Sequence, residues 1–193
     1  MNICVYGAAS SLIDNSFIEA GKNLGRKIAE RGNGLVFGGG SHGMMGAVAD
    51  GVFEKKGYIL GVIPEFFNEA GSEVSCDNCS EYIYTETMRE RKRYLEEKSD
   101  AFIISPGGIG TLDEFFEILT LKQLGRHNKA LAIYNINGFY NELDAMMDKS
   151  IEKKFITSDC KELYSVFDNA DEMLDYLEKY DAKDVDLNKV KIR

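Results

Sequence analysis

Proline is almost missing from this chain, which has only Pro64 and Pro106. With 44% hydrophobic residues besides, the sequence lacks the composition of a linker or a disordered segment. Basic residues are also short. The 23 Lys and Arg stand against 32 Asp and Glu, for a net charge of −9. That balance leaves no electrostatic footprint for nucleic acid or for an anionic membrane surface. No apolar run approaches the roughly 20 residues of a membrane-spanning helix. The start, Met1-Asn2-Ile3-Cys4-Val5-Tyr6, has no basic flank and goes straight into a strand pattern. No signal peptide is legible there, and the cytoplasm is the expected compartment. The two histidines, His42 and His127, make no ligand pair with the cysteines. Cys4, Cys76, Cys79 and Cys160 have no disulfide-framework spacing. Cys76-x-x-Cys79 offers half a metal site or a redox pair. No second CxxC completes it, so reduced bystander thiols are the plainer reading.

What the chain does have is alternation. Its 193 residues suffice for one domain with a sizeable core. Short apolar runs read as strands at Asn2 to Tyr6, Leu35 to Phe37, Tyr58 to Ile63, Tyr82 to Tyr84, Ala101 to Ile104, Ala130 to Tyr134 and Leu163 to Phe167. Helical spacing fills the gaps. Helices are expected from about Asp14, an N-cap candidate, to Arg31, over Met44 to Lys55, from Thr111 onward, over Phe139 to Lys153, and to about Tyr180 behind Asp168 or Asn169. Pro64 to Ser80 reads as the flexible loop. Such alternation predicts an α/β fold, a Rossmann-like doubly wound parallel sheet with helices on both faces. The expected organisation is a single nucleotide-binding domain over residues 1–180 and a loose polar tail over 181–193.

Glycine-rich turns follow three of the strands. Gly7-Ala8-Ala9-Ser10-Ser11 is not G-x-G-x-x-G, and the second strand ends in Gly38 with no acid to hold a ribose, which weighs against a dehydrogenase. Gly38-Gly39-Gly40 and the following Gly43 and Gly46 either allow close helix–strand packing or form a backbone wall of a ligand cleft, with Gly39 and Gly40 as the candidates. Pro106-Gly107-Gly108-Ile109-Gly110-Thr111 joins a strand to a helix. Glycines let a backbone approach an anion, and the first N–H groups and dipole of the helix favour its charge. Gly107, Gly108, Gly110 and Thr111 are therefore phosphate-loop candidates, without the lysine of a Walker loop. Thr111-x-x-Glu114 is equally a capping box. In Met88-Arg89-Glu90-Arg91-Lys92, the residues Met88, Arg91, Lys92 and later Leu95 share a helical face. That face either turns a cation toward the protein or is a solvated face of Glu–Arg pairs. In open parallel sheets ligands bind beyond the carboxyl ends of the strands, where all these turns converge.

Pro106-Gly107-Gly108-x-Gly110-Thr111-x-x-Glu114 resembles the signature of the Lonely Guy (LOG) family, formerly labelled lysine decarboxylases. Gly38-Gly39-Gly40-x-x-Gly43-x-Met45-Gly46, Met88-x-Glu90-Arg91-Lys92, Gly61-Val62-Ile63-Pro64 and Gln123-Leu124-Gly125-x-His127 match in the same order, over about residues 3 to 180. The sequence departs from the family at Thr120-Leu121-Lys122, at Ala130 and at Gly7-Ala8-Ala9-Ser10. The resemblance implies a homodimer that hydrolyses the N-glycosidic bond of nucleoside 5′-monophosphates, AMP or cytokinin riboside 5′-monophosphates, without metal or other cofactor. It implies Arg91 and Glu114 as the catalytic pair, and Gly39, Gly40, Met88, Lys92, Gly107, Gly108, Gly110 and Thr111 at the substrate. Two rivals stand beside it: a non-catalytic nucleotide or cofactor carrier, and a pyridoxal enzyme, for which Lys92 is the obvious pocket lysine.

Overall fold

A computed structural model describes residues 1–70, 76–183, 185 and 187–190. Seven strands form one sheet: β1 (Asn2–Tyr6), β2 (Gly34–Phe37), β3 (Ile59–Pro64), β4 (Glu81–Thr85), β5 (Ala101–Ile104), β6 (Ala130–Tyr134) and β7 (Ser165–Phe167). Every ladder is parallel and the order is β4-β3-β2-β1-β5-β6-β7. The five inner strands are apolar almost throughout because both of their faces are covered, whereas the edge strands β4 and β7 are partly exposed.

Among the described residues eight α-helices accompany the strands: α1 (Asn15–Glu30), α2 (Gly43–Glu54), α3 (Glu65–Ala70), α4 (Met88–Glu97), α5 (Ile109–Gln123), α6 (Asn141–Glu152), α7 (Ala170–Lys179) and α8 (Leu187–Val190). Alternation within each strand splits the core into two layers. Ile3, Val5, Leu35, Phe37 and Ile103 meet Leu24 and Ile28 of α1, Met44, Val48 and Val52 of α2, and Met173 and Leu174 of α7. On the other face Cys4, Tyr6, Val36, Leu60, Phe102 and Ile104 meet Leu95 of α4 and Phe115 and Ile118 of α5. The expected doubly wound α/β architecture is thus observed.

Several local expectations change. Helix α5 opens at Ile109 behind Gly108, not at Thr111. The predicted capping box at Thr111 does not form; Thr87 and Glu90 form one at the start of α4 instead. Asn169, rather than Asp168, accepts from the amides of Asp171 and Glu172 to cap α7. The predicted strand at Leu163 is a 3-10 turn over Ser158–Leu163, with β7 following. The Pro64–Ser80 loop contains α3 and a tight turn at Cys76–Cys79, and its residues 71–75 lie outside the described ones. The described part of the 181–193 tail is docked rather than loose. Val190 is buried in the second core layer, and its carbonyl accepts from Gln123 Nε2 at 3.2 Å. Residues 184, 186 and 191–193 lie outside the description.

Candidate functional site

The strand order reverses between β1 and β5, and the chain leaves these neighbouring strands toward opposite faces. The crevice so opened is the expected ligand position of a doubly wound sheet. The turns after the two strands are stitched together there: the Ala8 amide donates to the Pro106 carbonyl at 3.0 Å, and the Met45 amide to the Ala8 carbonyl at 3.1 Å. Above them lies a cavity of about 320 Å³, lined by the Gly7–Ser10 turn, Met45, Phe67, Met88, Arg91, Gly108, Gly110, Thr111 and Glu114. A larger depression of about 440 Å³ lies at the opposite sheet edge, around Asn2, Gly34, Tyr58 and Asp100. Helix N-termini point away from that edge, so it offers an anion no dipole.

Arg91 and Glu114 are the chemical centre of the cavity. Helix α4 carries Arg91 inward, 6% exposed, and helix α5 carries Glu114 to meet it, 9% exposed. Arg91 Nη1 donates to Glu114 Oε1 at 3.0 Å, while Arg91 Nε donates to the Val62 carbonyl at 3.3 Å. The remaining guanidinium nitrogen rests on Gly38, where a Cβ would overlap Nη2. Gly38 is therefore glycine for a reason of contact, since the arginine fork occupies the space of a side chain. Burial pushes the Glu114 carboxyl up to about 7, against the pull of Arg91. A carboxyl held near neutrality in a cleft is typical of groups that take part in chemistry.

Beside the pair, Gly108, Gly110 and Thr111 form the first turn of α5. A side chain built at Gly108 or Gly110 meets no protein atom, so this wall of backbone is open. The first N–H groups of a helix have no carbonyl one turn earlier to bond, which suits them to an anion. Thr111 does not cap the helix; its hydroxyl packs on Gly107, where a Cβ would collide with it. The cavity's other walls are apolar, with Met45, Phe67 and Met88.

Of the residues expected at the substrate, Met88, Gly108, Gly110 and Thr111 line the cavity together with Arg91 and Glu114. Gly39, Gly40 and Gly107 lie behind it and shape the turns; Gly39 has φ +80° and its carbonyl accepts from the Cys76 amide. Lys92 is placed differently from the expectation. One residue on from Arg91, it points around α4 to ion-pair with Asp113, at 3.0 Å, and with Glu117, and so bridges α4 to α5. Burial works to lower its pKa, but Glu117 and Asp113 overrule it and hold the ammonium above its usual value. Such a lysine is no Schiff-base nucleophile. Phe67 was not foreseen, because the stretch after β3 has no periodicity and only its place beyond a strand's carboxyl end could have marked it.

A switch-point cleft, an open helix N-terminus and a buried carboxylate–guanidinium pair define an α/β protein built to act on an anionic ligand. The chain matches the family model described as "Possible lysine decarboxylase" over residues 45–177. It is 35% identical over 181 residues, 94% of this chain and 84% of the relative, to the cytokinin riboside 5′-monophosphate phosphoribohydrolase LOG2 of Arabidopsis thaliana. It is 39% identical over 172 residues, 89% of this chain and 74% of the relative, to a probable phosphoribohydrolase of the same kind, LOG4 of Oryza sativa subsp. japonica. The chain belongs to the Lonely Guy family. Among solved structures, TM1055 superposes with a TM-score of 0.71 at 20% identity, covering 93% of this chain and 99% of that one. The molybdenum cofactor carrier protein of Chlamydomonas reinhardtii superposes with a TM-score of 0.67 at 19% identity, covering 92% and 96%. Those two likenesses show the fold.

Proposed function

We propose that this protein hydrolyses the N-glycosidic bond of a nucleoside 5′-monophosphate, AMP or a cytokinin riboside 5′-monophosphate, to the free base and ribose 5-phosphate. The observation that carries this reading is the buried Arg91–Glu114 pair facing the same cavity as the open Gly108–Thr111 turn. A phosphate seated on that turn brings the ribose over Glu114. Cleavage leaves an oxocarbenium-like sugar, as in glycoside hydrolysis. The Glu114 carboxylate stabilises that charge, holds the ribose hydroxyls and orients the attacking water. Arg91 fixes the carboxylate, since its planar fork is anchored on the Val62 carbonyl and cannot follow a rotating partner. Met45, Phe67 and Met88 give the base an apolar wall. The ionised form of Glu114 does this work, so turnover should rise as pH passes upward through about 7.

A plain carrier of nucleotide or cofactor would gain nothing from Glu114, because a carboxylate beside a bound anion repels it. Relatives named as phosphoribohydrolases support the hydrolytic reading. With it go a cytoplasmic homodimer, to be tested by light scattering, and a reaction needing no cofactor. The deciding experiment is chromatography of free base after incubation with AMP, with adenosine as control. Adenine from AMP alone supports a phosphate-dependent N-glycosidase. AMP binding without adenine would favour the carrier.

A further inference from the structure

Two thiols lie behind the cleft and take no part in the chemistry above. Cys76, Asp77, Asn78 and Cys79 form a tight turn, which brings the first and last Cα atoms within the separation a disulfide requires. Each thiol is the strongest single influence on the other's titration. Cys76 is buried and Cys79 half-buried, so a small reagent has a route to the pair. Tyr82 holds the turn from below. Its hydroxyl donates to the Cys76 carbonyl at 2.5 Å.

The turn is tied to the glycine segment that seats Arg91. The Cys76 amide donates to the Gly39 carbonyl at 2.9 Å, and Gly39 adjoins the Gly38 on which the guanidinium rests. Cys79 Sγ packs against Gly61 of β3, one residue before the Val62 whose carbonyl holds Arg91 Nε. An inert buried thiol behaves like Cys4, which burial pushes up to about 12. Cys76 moves the other way. Cys79 beside it, more than any other neighbour, pulls the Cys76 thiol below its usual value and so favours the thiolate form.

We propose that Cys76 and Cys79 are a reversible dithiol–disulfide site, oxidised by peroxide, whose state is transmitted through Gly39 to the segment that seats Arg91. The Cys76 thiolate attacks one oxygen of hydrogen peroxide and the O–O bond breaks, giving a sulfenic acid and hydroxide, which becomes water by taking up the proton the Cys76 thiol released on ionising. Cys79 sulfur then attacks the Cys76 sulfur; the S–O bond breaks, water leaves and its second hydrogen comes from the Cys79 thiol. Two thiols are oxidised, one peroxide is reduced and two waters form. Closing an S–S bond of about 2.05 Å draws the sulfurs together and moves the Cys76 amide relative to the Gly39 carbonyl.

The test treats the reduced full chain with hydrogen peroxide and maps its cysteine peptides by mass spectrometry. The expected product has one Cys76–Cys79 link, with Cys4 and Cys160 still free, and dithiothreitol reverses it. In Cys79→Ser the link is absent and dimedone traps a sulfenic acid at Cys76. Hydrogen exchange of the peptide spanning residues 38–46 reads the coupling without any substrate. Its rate is expected to change several-fold between reduced and oxidised protein, and not to change in the Cys76→Ser/Cys79→Ser variant treated alike. Both thiols still free after peroxide would overturn the site. A disulfide that leaves exchange over residues 38–46 unaltered would overturn the transmission. Neither result depends on whether the protein cleaves AMP.

Discussion

Helix α5 buries two charged side chains on one face, Glu114 and Lys122, two turns apart with Ile118 between them. Glu114 has Arg91 at 3.0 Å and a cavity in front of it. Lys122 is fully buried, and its Nζ is the buried side-chain atom without a hydrogen-bond partner among the described residues. Its ammonium has the ring of Tyr180, 4.7 Å away to the centroid. Burial pushes both toward their neutral forms, Glu114 up to about 7 and Lys122 down to about 8. The same helix thus shows two fates for a buried charge. One has a fixed counter-ion and an opening to a ligand, so its cost is tied to a function. The other is sealed from solvent beside Tyr180, where its cost returns only a cation–π contact of roughly 1 kcal/mol.

The largest effect expected at either position is on turnover. Glu114→Gln should lower AMP hydrolysis by about a hundredfold or more while AMP still binds, since the amide oxygen accepts from Arg91 but cannot stabilise a cation by charge. Rate and equilibrium binding, measured on the same preparation, check it. Stability should move the other way with pH. The folded Glu114 carboxyl titrates at about 7 against an ordinary 4.5, so the native state holds its proton more tightly. The wild-type penalty is absent below pH 4.5, grows between the two values and is complete above 7. The wild-type protein should therefore lose melting temperature relative to Glu114→Gln as pH rises across that window.

A way to make Glu114 resemble Lys122 is to evict its partner without touching either residue. Gly38→Ala places a methyl where Arg91 Nη2 lies, and the guanidinium must leave. Loss of a buried partner costs about 3 kcal/mol, reduced here to the extent that Glu114 simply takes up a proton. Turnover should fall at least tenfold, with urea unfolding reading the stability loss.

The opposite change removes the liability. Lys122→Met keeps the volume and deletes the charge, and should stabilise the fold by about 2 kcal/mol near pH 7, or roughly 4–8 °C in Tm. The sign follows from a folded amine titrating at about 8 rather than 10.5. The penalty is complete below pH 8 and fades as pH rises to 10.5, so the gain should shrink over that window. A gain that stays constant to pH 10.5 would mean that packing, not charge, is responsible. Turnover should be unchanged, since Lys122 does not line the cleft.

The strands and the glycine turns were legible because they depend on local composition. An inner strand of a parallel sheet must be an apolar run, and a turn that meets an anion or an arginine must be short of side chains. What the sequence could not resolve were choices between neighbours. Arg91 and Lys92 are adjacent in a basic cluster, yet one helical step of about 100° sends one to Glu114 and the other to Asp113 and Glu117. Nothing in the sequence marks Lys122 as buried, and its cover, the Tyr180 ring, comes from 58 residues further along the chain. The polar 181–193 stretch conceals its docking because its apolar contacts, Val185, Leu187 and Val190, are few and follow no period that would reveal them. His127, in a motif that resembles the family's, is structural: its Nε2 donates to the Ile118 carbonyl at 3.0 Å and its Nδ1 accepts from the Lys129 amide at 3.2 Å.

The smallest expected effect lies at the start of α4. Thr-x-x-Glu occurs at Thr87–Glu90 and at Thr111–Glu114, and local chemistry would cap a helix equally well at either. Only the first is used. The Glu90 amide donates to Thr87 Oγ1 at 3.2 Å, and the Thr87 amide donates to Glu90 Oε2 at 3.3 Å. At the second, the helix has already begun at Ile109, so Thr111 is inside its first turn and Glu114 is too far along to reach back. The duplicated motif thus separates a cap from a site. Thr87→Ala should cost about 1 kcal/mol, read by urea unfolding, and leave turnover within about threefold, because Arg91 is held by Val62 and Glu114 rather than by the cap. Thr111→Ala removes no cap, so its cost should fall on AMP affinity more than on stability; equal stability losses in the two variants would erase the distinction between the motifs.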